Sequence, residues 1–337
     1  MAVEAAQEQG TVAAIGAGRM GRGIAIAFAA TGRDVALIDL KPRDAAAVAA
    51  LSQDAMDEIA RDLAFLVRLG LLDDAGAKKA LAHVRFVARD DAPAVLAECT
   101  IVFEGVPETL DAKRDAFAFV CEHVSDDCII TSTTSTIDPE DLIGFVTRPE
   151  RFLNAHWLNP AYLMPLVELA PAKVTDEAVV ERTRAILSGA GKVPIVCRGA
   201  PGYIVPRIQA LAMNEAARIV EEGVASAQDV DLAVRTGFGI RFAVLGLLEF
   251  IDWGGGDILF HASDFLSEKV DAGRYKAPQI VVDNMREERR GLRDGKGFYD
   301  YAGVDADAYR AERLSDFVKM LHLRDLVPPF VQGDADS

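Results

Sequence analysis

One histidine and one carboxylate have the types and spacing for proton transfer: His156 and Glu168, within RFLNAHWLNPAYLMPLVELAP at 151–171. A histidine exchanges a proton near neutral pH, and a carboxylate beside it fixes the ring tautomer and steadies the charged form. That chemistry needs the two side chains in contact, so the surrounding elements must bring them together. Residues 152–157 and 166–169 are short apolar runs, and Asn159, Pro160, Tyr162 and Pro165 lie between them. Runs bounded in this way predict strand, loop, strand. On neighbouring strands His156 and Glu168 can meet, although the register is not set by sequence alone. The same pattern also suits a histidine satisfied in the core of a sheet.

The start of the chain supplies a second chemistry. TVAAIG at 11–16 breaks into G-A-G-R-M-G-R-G, after which Ile24 and Phe28 recur at helical spacing and Gly32 closes the helix. In this strand, glycine turn and helix, Gly16 permits the tight turn. Gly18 lets a pyrophosphate approach the backbone, and Gly21 lets helix and strand pack closely. Ala17, Arg19 and Met20 complete the turn. A second strand at 34–40 (DVALIDL) carries Asp39, near the ~20-residue spacing expected of the acid that binds a ribose hydroxyl. The context predicts dinucleotide binding, against a purely structural glycine turn. A carboxylate at Asp39 would repel a 2′-phosphate and favours NAD over NADP; Lys41 and Arg43 act in the opposite sense.

With 337 residues, 50% hydrophobic and 26% charged, the chain has the size for two domains and the composition of a soluble globular protein. Its net charge of -16 disfavours nucleic acid and anionic membrane as partners, since both demand a basic face. Cys99, Cys121, Cys128 and Cys197 show no CxxC spacing and read as free, buried thiols. MAVEAAQEQG at the start has two acids and no apolar core, so no signal peptide is expected, and no apolar run approaches the ~18 residues of a membrane span. A cytoplasmic protein with no metal site is expected.

Further along, 43–82 is alanine-rich and helical, broken near Gly70, so one or two helices are inserted before a third strand at 84–87. A fourth strand (100–104) leads through G-V-P-E into a helix from about Glu108, with Leu110 and Phe117 facing inward. A fifth (128–132) runs into the hydroxyl cluster Ser132 to Thr136, placed either for a ligand at the strand ends or to cap the helix near Pro139. A helix over 176–187, a last strand at 192–197 and the breaker-rich 198–202 complete an expected first domain, 1–198. The second, 199–337, reads as helical. Ile204, Ile208, Leu211 and Ile219 mark a long amphipathic helix with Pro206 in its first turn. The dense apolar run at 242–253 suggests an isologous dimer interface or an internal helix.

Together these motifs resemble the L-3-hydroxyacyl-CoA dehydrogenase family along nearly the whole chain. The resemblance rests on GAGRMGRGIA at 16–25, EGVPE at 104–108 followed by Lys113, TTST at 133–136, HWLNP at 156–160 with Glu168, and GKGFY at 295–299. It implies a Rossmann-type α/β domain with inserted helices, followed by an all-α substrate and dimerisation domain, with NAD as cofactor. It also implies a small-molecule substrate, a homodimer and a place in fatty acid metabolism. His156 matches the catalytic base and Glu168 its partner. Ser135 and Asn159 match positions that bind the reacting oxygen and cofactor; Glu108 and Lys113 match residues along the NAD ribose and nicotinamide.

Four features depart from the family pattern. Thr133 stands where an asparagine is usual, Pro206 replaces an asparagine in the first C-terminal helix, and Pro165 replaces a lysine before L-V-E. The helix after Asp39, where acyl-CoA enzymes place lysines for CoA phosphates, carries mostly acids. The expected reaction is NAD-dependent oxidation of the 3-hydroxyl of a short 3-hydroxyacyl-CoA. A CoA-free 3-hydroxy acid of the carnitine or gulonate kind is the alternative, and a catalytically idle, crystallin-like NAD-binding protein is a rival of another class. The 6-phosphogluconate type of β-hydroxyacid dehydrogenase needs a lysine early in its second domain, and none stands between Gly199 and Asn214.

Overall fold

The protein is described from a computed structural model covering residues 10–329; the leading residues, where no signal peptide is expected, lie largely outside the described range. Two compact units divide at Ala212/Met213. The first alternates strands and helices: β1 (Thr11–Ile15), α1 (Arg19–Ala29), β2 (Val35–Asp39), α2 (Ala45–Arg68), α3 (Asp74–Ala82), β3 (Val84–Ala88), α4 (Ala92–Leu96), β4 (Cys99–Glu104), α5 (Leu110–His123), β5 (Ile129–Ser132), α6 (Pro139–Leu142), β6 (Phe152–Trp157), β7 (Leu166–Pro171), α7 (Glu177–Gly189) and β8 (Val193–Val196). α8 (Val205–Glu221) runs across the division.

The strands form one sheet in the order β3-β2-β1-β4-β5-β6-β7-β8. Every pairing is parallel except β6 with β7. Parallel strands covered on both faces need apolar side chains on both, and β2 (VALID) and β6 (FLNAHW) are buried throughout. Alternate side chains feed two cores: Val12 and Ala14 pack on one face, Ala13 and Ile15 on the other. Order around β1 reverses between β2 and β4, which opens a crevice at the carboxyl ends of β1 and β4. Because β5 and β6 run parallel to β4, the ends carrying Ser132 and His156 lie on that same edge.

The inserted helices start at aspartate caps. Asp44 accepts from Ala47 N at 2.8 Å and Asp73 from Gly76 N at 2.6 Å. Two expectations need correction. Phe117 is fully buried but Leu110 is 45% exposed, since α5 begins at Leu110, capped by Thr109, and its first turn stands beside the loop leaving β4. Cys99 and Cys128 are buried as expected, whereas Cys121 and Cys197 are half-buried; all four are free.

The second unit is helical: α9 (Ala227–Ala233), α10 (Gly239–Val244), α11 (Leu247–Gly254), α12 (Gly256–Lys269), α13 (Ala272–Tyr275), α14 (Gln279–Arg286) and α15 (Ala306–Leu323). The GKGFY motif is structural there. Buried Asp252 on α11 accepts from Phe298 N at 3.0 Å and Tyr299 N at 2.9 Å. Among the described residues, no helix is long and apolar enough to cross a membrane, and no group of three His, Cys, Asp or Glu residues is placed to hold a metal.

Candidate active site

β6 and β7 pair antiparallel in a register that sets His156 opposite Glu168. Their side chains meet: His156 Nδ1 lies 2.8 Å from Glu168 Oε2, and both residues are buried, Glu168 completely. A carboxylate accepts, so Nδ1 carries the proton and Nε2 keeps its lone pair. The second carboxylate oxygen is also occupied. Glu168 Oε1 accepts from Ile204 N at 2.9 Å and Val205 N at 2.8 Å, the free N–H groups where α8 begins. One carboxylate thus orients the imidazole and caps a helix.

Tyr203 completes the setting. Its ring stacks on His156 with centroids 5.0 Å apart and planes 15° apart. Its hydroxyl donates to Thr134 O at 3.0 Å and accepts from Asn154 Nδ2 at 3.1 Å. Burial pushes the Tyr203 hydroxyl well above its ordinary pKa, so it serves as a neutral donor. Its backbone φ is 42°, a left-handed conformation that costs a non-glycine residue about 1–3 kcal/mol and persists only when its surroundings hold it. Sequence reasoning missed Tyr203; its only signal was its place in the breaker-rich segment after Gly202.

The glycine turn has the shape a dinucleotide requires. Gly16 sits at φ 96°, closed to side chains, and a Cβ added to Gly21 would fall 2.0 Å from Gly16 O. A Cβ at Gly18 would meet nothing within 4 Å, so that backbone lies open to a ligand. The turn opens onto a cleft of about 950 Å³, lined among others by Gly16, Ala17, Gly18, Asp39, Gly105 and Pro107. That is the size of a cofactor pocket, and these residues fit NAD. Arg19 and Met20 open α1. Asp39 ends β2 in this cleft, where Arg43 Nε donates to its Oδ2 at 2.6 Å. Arg43 is thereby engaged by a carboxylate instead of standing ready for a 2′-phosphate.

Glu108 ties the hydroxyl cluster together. Its Oε1 accepts from Thr134 Oγ1, from Ser135 N at 2.9 Å and from Thr136 Oγ1 at 3.1 Å. Burial raises the Glu108 carboxyl, but the bonds from Thr134 and Ser135 and the charge of Lys113 outweigh it and hold it below its ordinary range. Lys113 is buried beneath, with Nζ 2.9 and 3.0 Å from the Glu104 oxygens and 3.3 Å from Ser132 Oγ and from Glu108 Oε2. Its ammonium therefore supports Glu108 and the strand ends and is closed to solvent. Ser135 and Asn159 are exposed, and neither side chain has a hydrogen-bond partner among the described residues; a cis peptide bond links Asn159 to Pro160. Glu104 was another omission, legible only as the first residue of EGVPE.

The chain matches the model of the 3-hydroxyacyl-CoA dehydrogenase NAD binding domain over residues 11–200 and that of the 3-hydroxyacyl-CoA dehydrogenase C-terminal domain over residues 202–301. It is 30% identical to 5-formyl-3-hydroxy-2-methylpyridine 4-carboxylate 5-dehydrogenase of Mesorhizobium japonicum, across 91% of this chain and 96% of that one. It is 32% identical to 3-hydroxybutyryl-CoA dehydrogenase of Bradyrhizobium diazoefficiens, across 87% of this chain and 96% of that one. A crystal structure of 3-hydroxyacyl-CoA dehydrogenase from Archaeoglobus fulgidus aligns with a TM-score of 0.73 at 30% identity, covering 95% of this chain and 100% of that one.

Proposed function

The chain belongs to the 3-hydroxyacyl-CoA dehydrogenase family of NAD-dependent oxidoreductases, and from that premise we propose that it oxidises the 3-hydroxyl of a small, CoA-free hydroxy acid to a 3-oxo group. The observation that carries this choice is the charge of α2. Its charged residues are Asp54, Asp57, Glu58, Arg61, Asp62 and Arg68, with no lysine. Asp54, Glu58 and Asp62 follow one another a turn apart, on one face. Burial raises the Asp62 carboxyl, the charge of Glu58 adds to the rise, and that of Arg61 opposes it. Arg22, which faces these acids from α1, is already bound to Glu58 and to Asp54, the latter at 2.7 Å. A CoA handle with its several phosphate charges finds repulsion there.

In the proposed reaction His156 Nε2 accepts the hydroxyl proton as C3 gives up its hydride. Glu168 holds Nδ1–H and stabilises the imidazolium that forms. Bound NAD supplies the hydride acceptor. Ser135 and Asn159, whose side chains are free of protein partners, donate to the reacting oxygen and limit the geometries from which hydride leaves. Gly16 to Gly21, Asp39 and Glu108 hold the cofactor, with Lys113 acting from beneath Glu108.

A CoA thioester is the second reading, supported by the Bradyrhizobium relative named 3-hydroxybutyryl-CoA dehydrogenase. Assaying 3-hydroxybutyryl-CoA beside a panel of free 3-hydroxy acids separates the two. We expect kcat/KM on a free acid to exceed that on the thioester by at least about tenfold, ~1.4 kcal/mol in transition-state binding. Turnover confined to the thioester overturns the CoA-free assignment. A homodimer is part of the proposal. Exposed apolar side chains in the second unit support it, among them Phe238, Leu248, Ile258 and Phe265, each 47–63% exposed.

A further inference from the structure

The 159–165 loop joins the strand of His156 to the strand of Glu168, and its buried main-chain carbonyls need hydrogen-bond partners. Three are answered from one place. Lys192, 7% exposed and just ahead of β8, donates through Nζ to Ala161 O at 2.6 Å and to Met164 O at 3.0 Å. The next residue, Val193, donates its N–H to Pro165 O at 2.8 Å. Inside the loop, Leu163 N and Met164 N both reach Pro160 O, at 3.0 and 2.9 Å. Lys192 Nζ also lies 5.5 Å from the ring centroid of Trp157, the residue after His156. From α1 the loop is approached again, since a Cβ added to Gly23 would stand 3.0 Å from Ala161 Cβ.

Lysine is seldom buried, and a buried ammonium is costly unless its donors are used. Here the partners are carbonyl dipoles and an aromatic face. The loop they hold carries Asn159 at one end, and Tyr162 between the two clamped carbonyls. We infer that Lys192 is a positioning residue for the reaction: by holding Ala161 O and Met164 O it fixes the 159–165 loop, and with it Asn159, relative to His156. The inference rests on the catalytic roles proposed above for His156 and Asn159. A displacement of about 1 Å at a positioning group can cost ~100-fold in rate. The glycine turn and Asp39 lie outside this loop, so cofactor affinity should not follow the change.

Lys192→Met keeps most of the side-chain volume and removes the donors. We expect kcat/KM to fall roughly 10- to 100-fold, mainly in kcat, while the Kd for NAD stays unchanged. Lys192→Arg, which retains donors, should recover part of the loss. Amide hydrogen exchange over 158–165 should accelerate in Lys192→Met while that of β6 and β7 does not. Unchanged exchange overturns the inference, and so does faster exchange with kcat/KM left at the wild-type level. Should Lys192→Met fail to fold, Gly23→Ala presses on Ala161 without touching the ammonium and should lower kcat with faster loop exchange; no effect on either rejects the inference. If the wild-type enzyme oxidises neither thioester nor free acid, the proposed function fails, and the exchange measurement still decides the clamp.

Discussion

At the scale of single residues the site turns on which nitrogen of His156 is free. Glu168 claims Nδ1, which leaves Nε2 to act. His156→Gln should lower kcat by about 10²–10⁴-fold while NAD still binds; turnover near the wild-type rate rejects the base. Glu168→Gln is a finer probe. Its carbonyl can still accept from Ile204 and Val205, but its amide then faces Nδ1 and favours the tautomer protonated on Nε2. We expect a loss in kcat within the same ~10²–10⁴ range and little change in melting temperature, read by parallel kinetics and thermal unfolding. Burial pushes Lys192 down to about 8, whereas the unfolded lysine titrates near ~10.4. Between these values the unfolded chain binds the extra proton, so this residue's contribution to stability should rise with pH across that window. A neutral amine keeps two donors for Ala161 and Met164, so the clamp survives the change. Melting curves of wild type and Lys192→Met from pH 7 to 10 test it: the melting temperature of the wild type minus that of the variant should rise with pH, and a fall contradicts the sign.

At the scale of elements, the glycine turn shows why a local motif is legible. Gly16, Gly21 and Asp39 are neighbours along one strand–helix–strand unit, and their spacing encodes backbone geometry directly. Gly21→Ala would drive a methyl into Gly16 O and part α1 from β1. We expect the Kd for NAD, measured by calorimetry, to weaken about tenfold or more, ~1.4 kcal/mol; unchanged affinity would mean the turn relaxes. The strands and inserted helices were equally visible, because apolar runs and helical periodicity are local properties. Contacts that close over long separations were not. His156 and Glu168 could be named from sequence, yet their meeting depended on a register that only β6–β7 pairing sets. Tyr203 reaches His156 from 47 residues away, and Lys192 grips a loop 28 to 31 residues upstream. Nothing in their local sequence marks that reach. Lys113 shows the converse: the family pattern named the residue, and the structure found its ammonium spent on Glu104.

At the scale of the whole molecule, a net charge of -16 favours solubility and works against polyanionic ligands unless a local basic pocket intervenes. On α2 the acids reinforce that background. Raising the ionic strength screens such repulsion, so turnover of a CoA thioester should improve with salt relative to a free hydroxy acid, a comparison open to steady-state kinetics. Sedimentation velocity at micromolar concentration should show a dimer; a monomer there removes the proposed assembly. One feature of the site also bears on how the enzyme is made. Glu168 is complete only when Ile204 and Val205 present their N–H groups. A ribosome delivering ~5–20 residues per second exposes the glycine turn, His156 and Glu168 well before those two amides emerge. Until then the carboxylate lacks two of its three partners, and the imidazole lacks the stacking of Tyr203. The nascent chain therefore presents its glycine turn and its His156–Glu168 pair before the two amides and the aromatic ring that complete the setting of that pair.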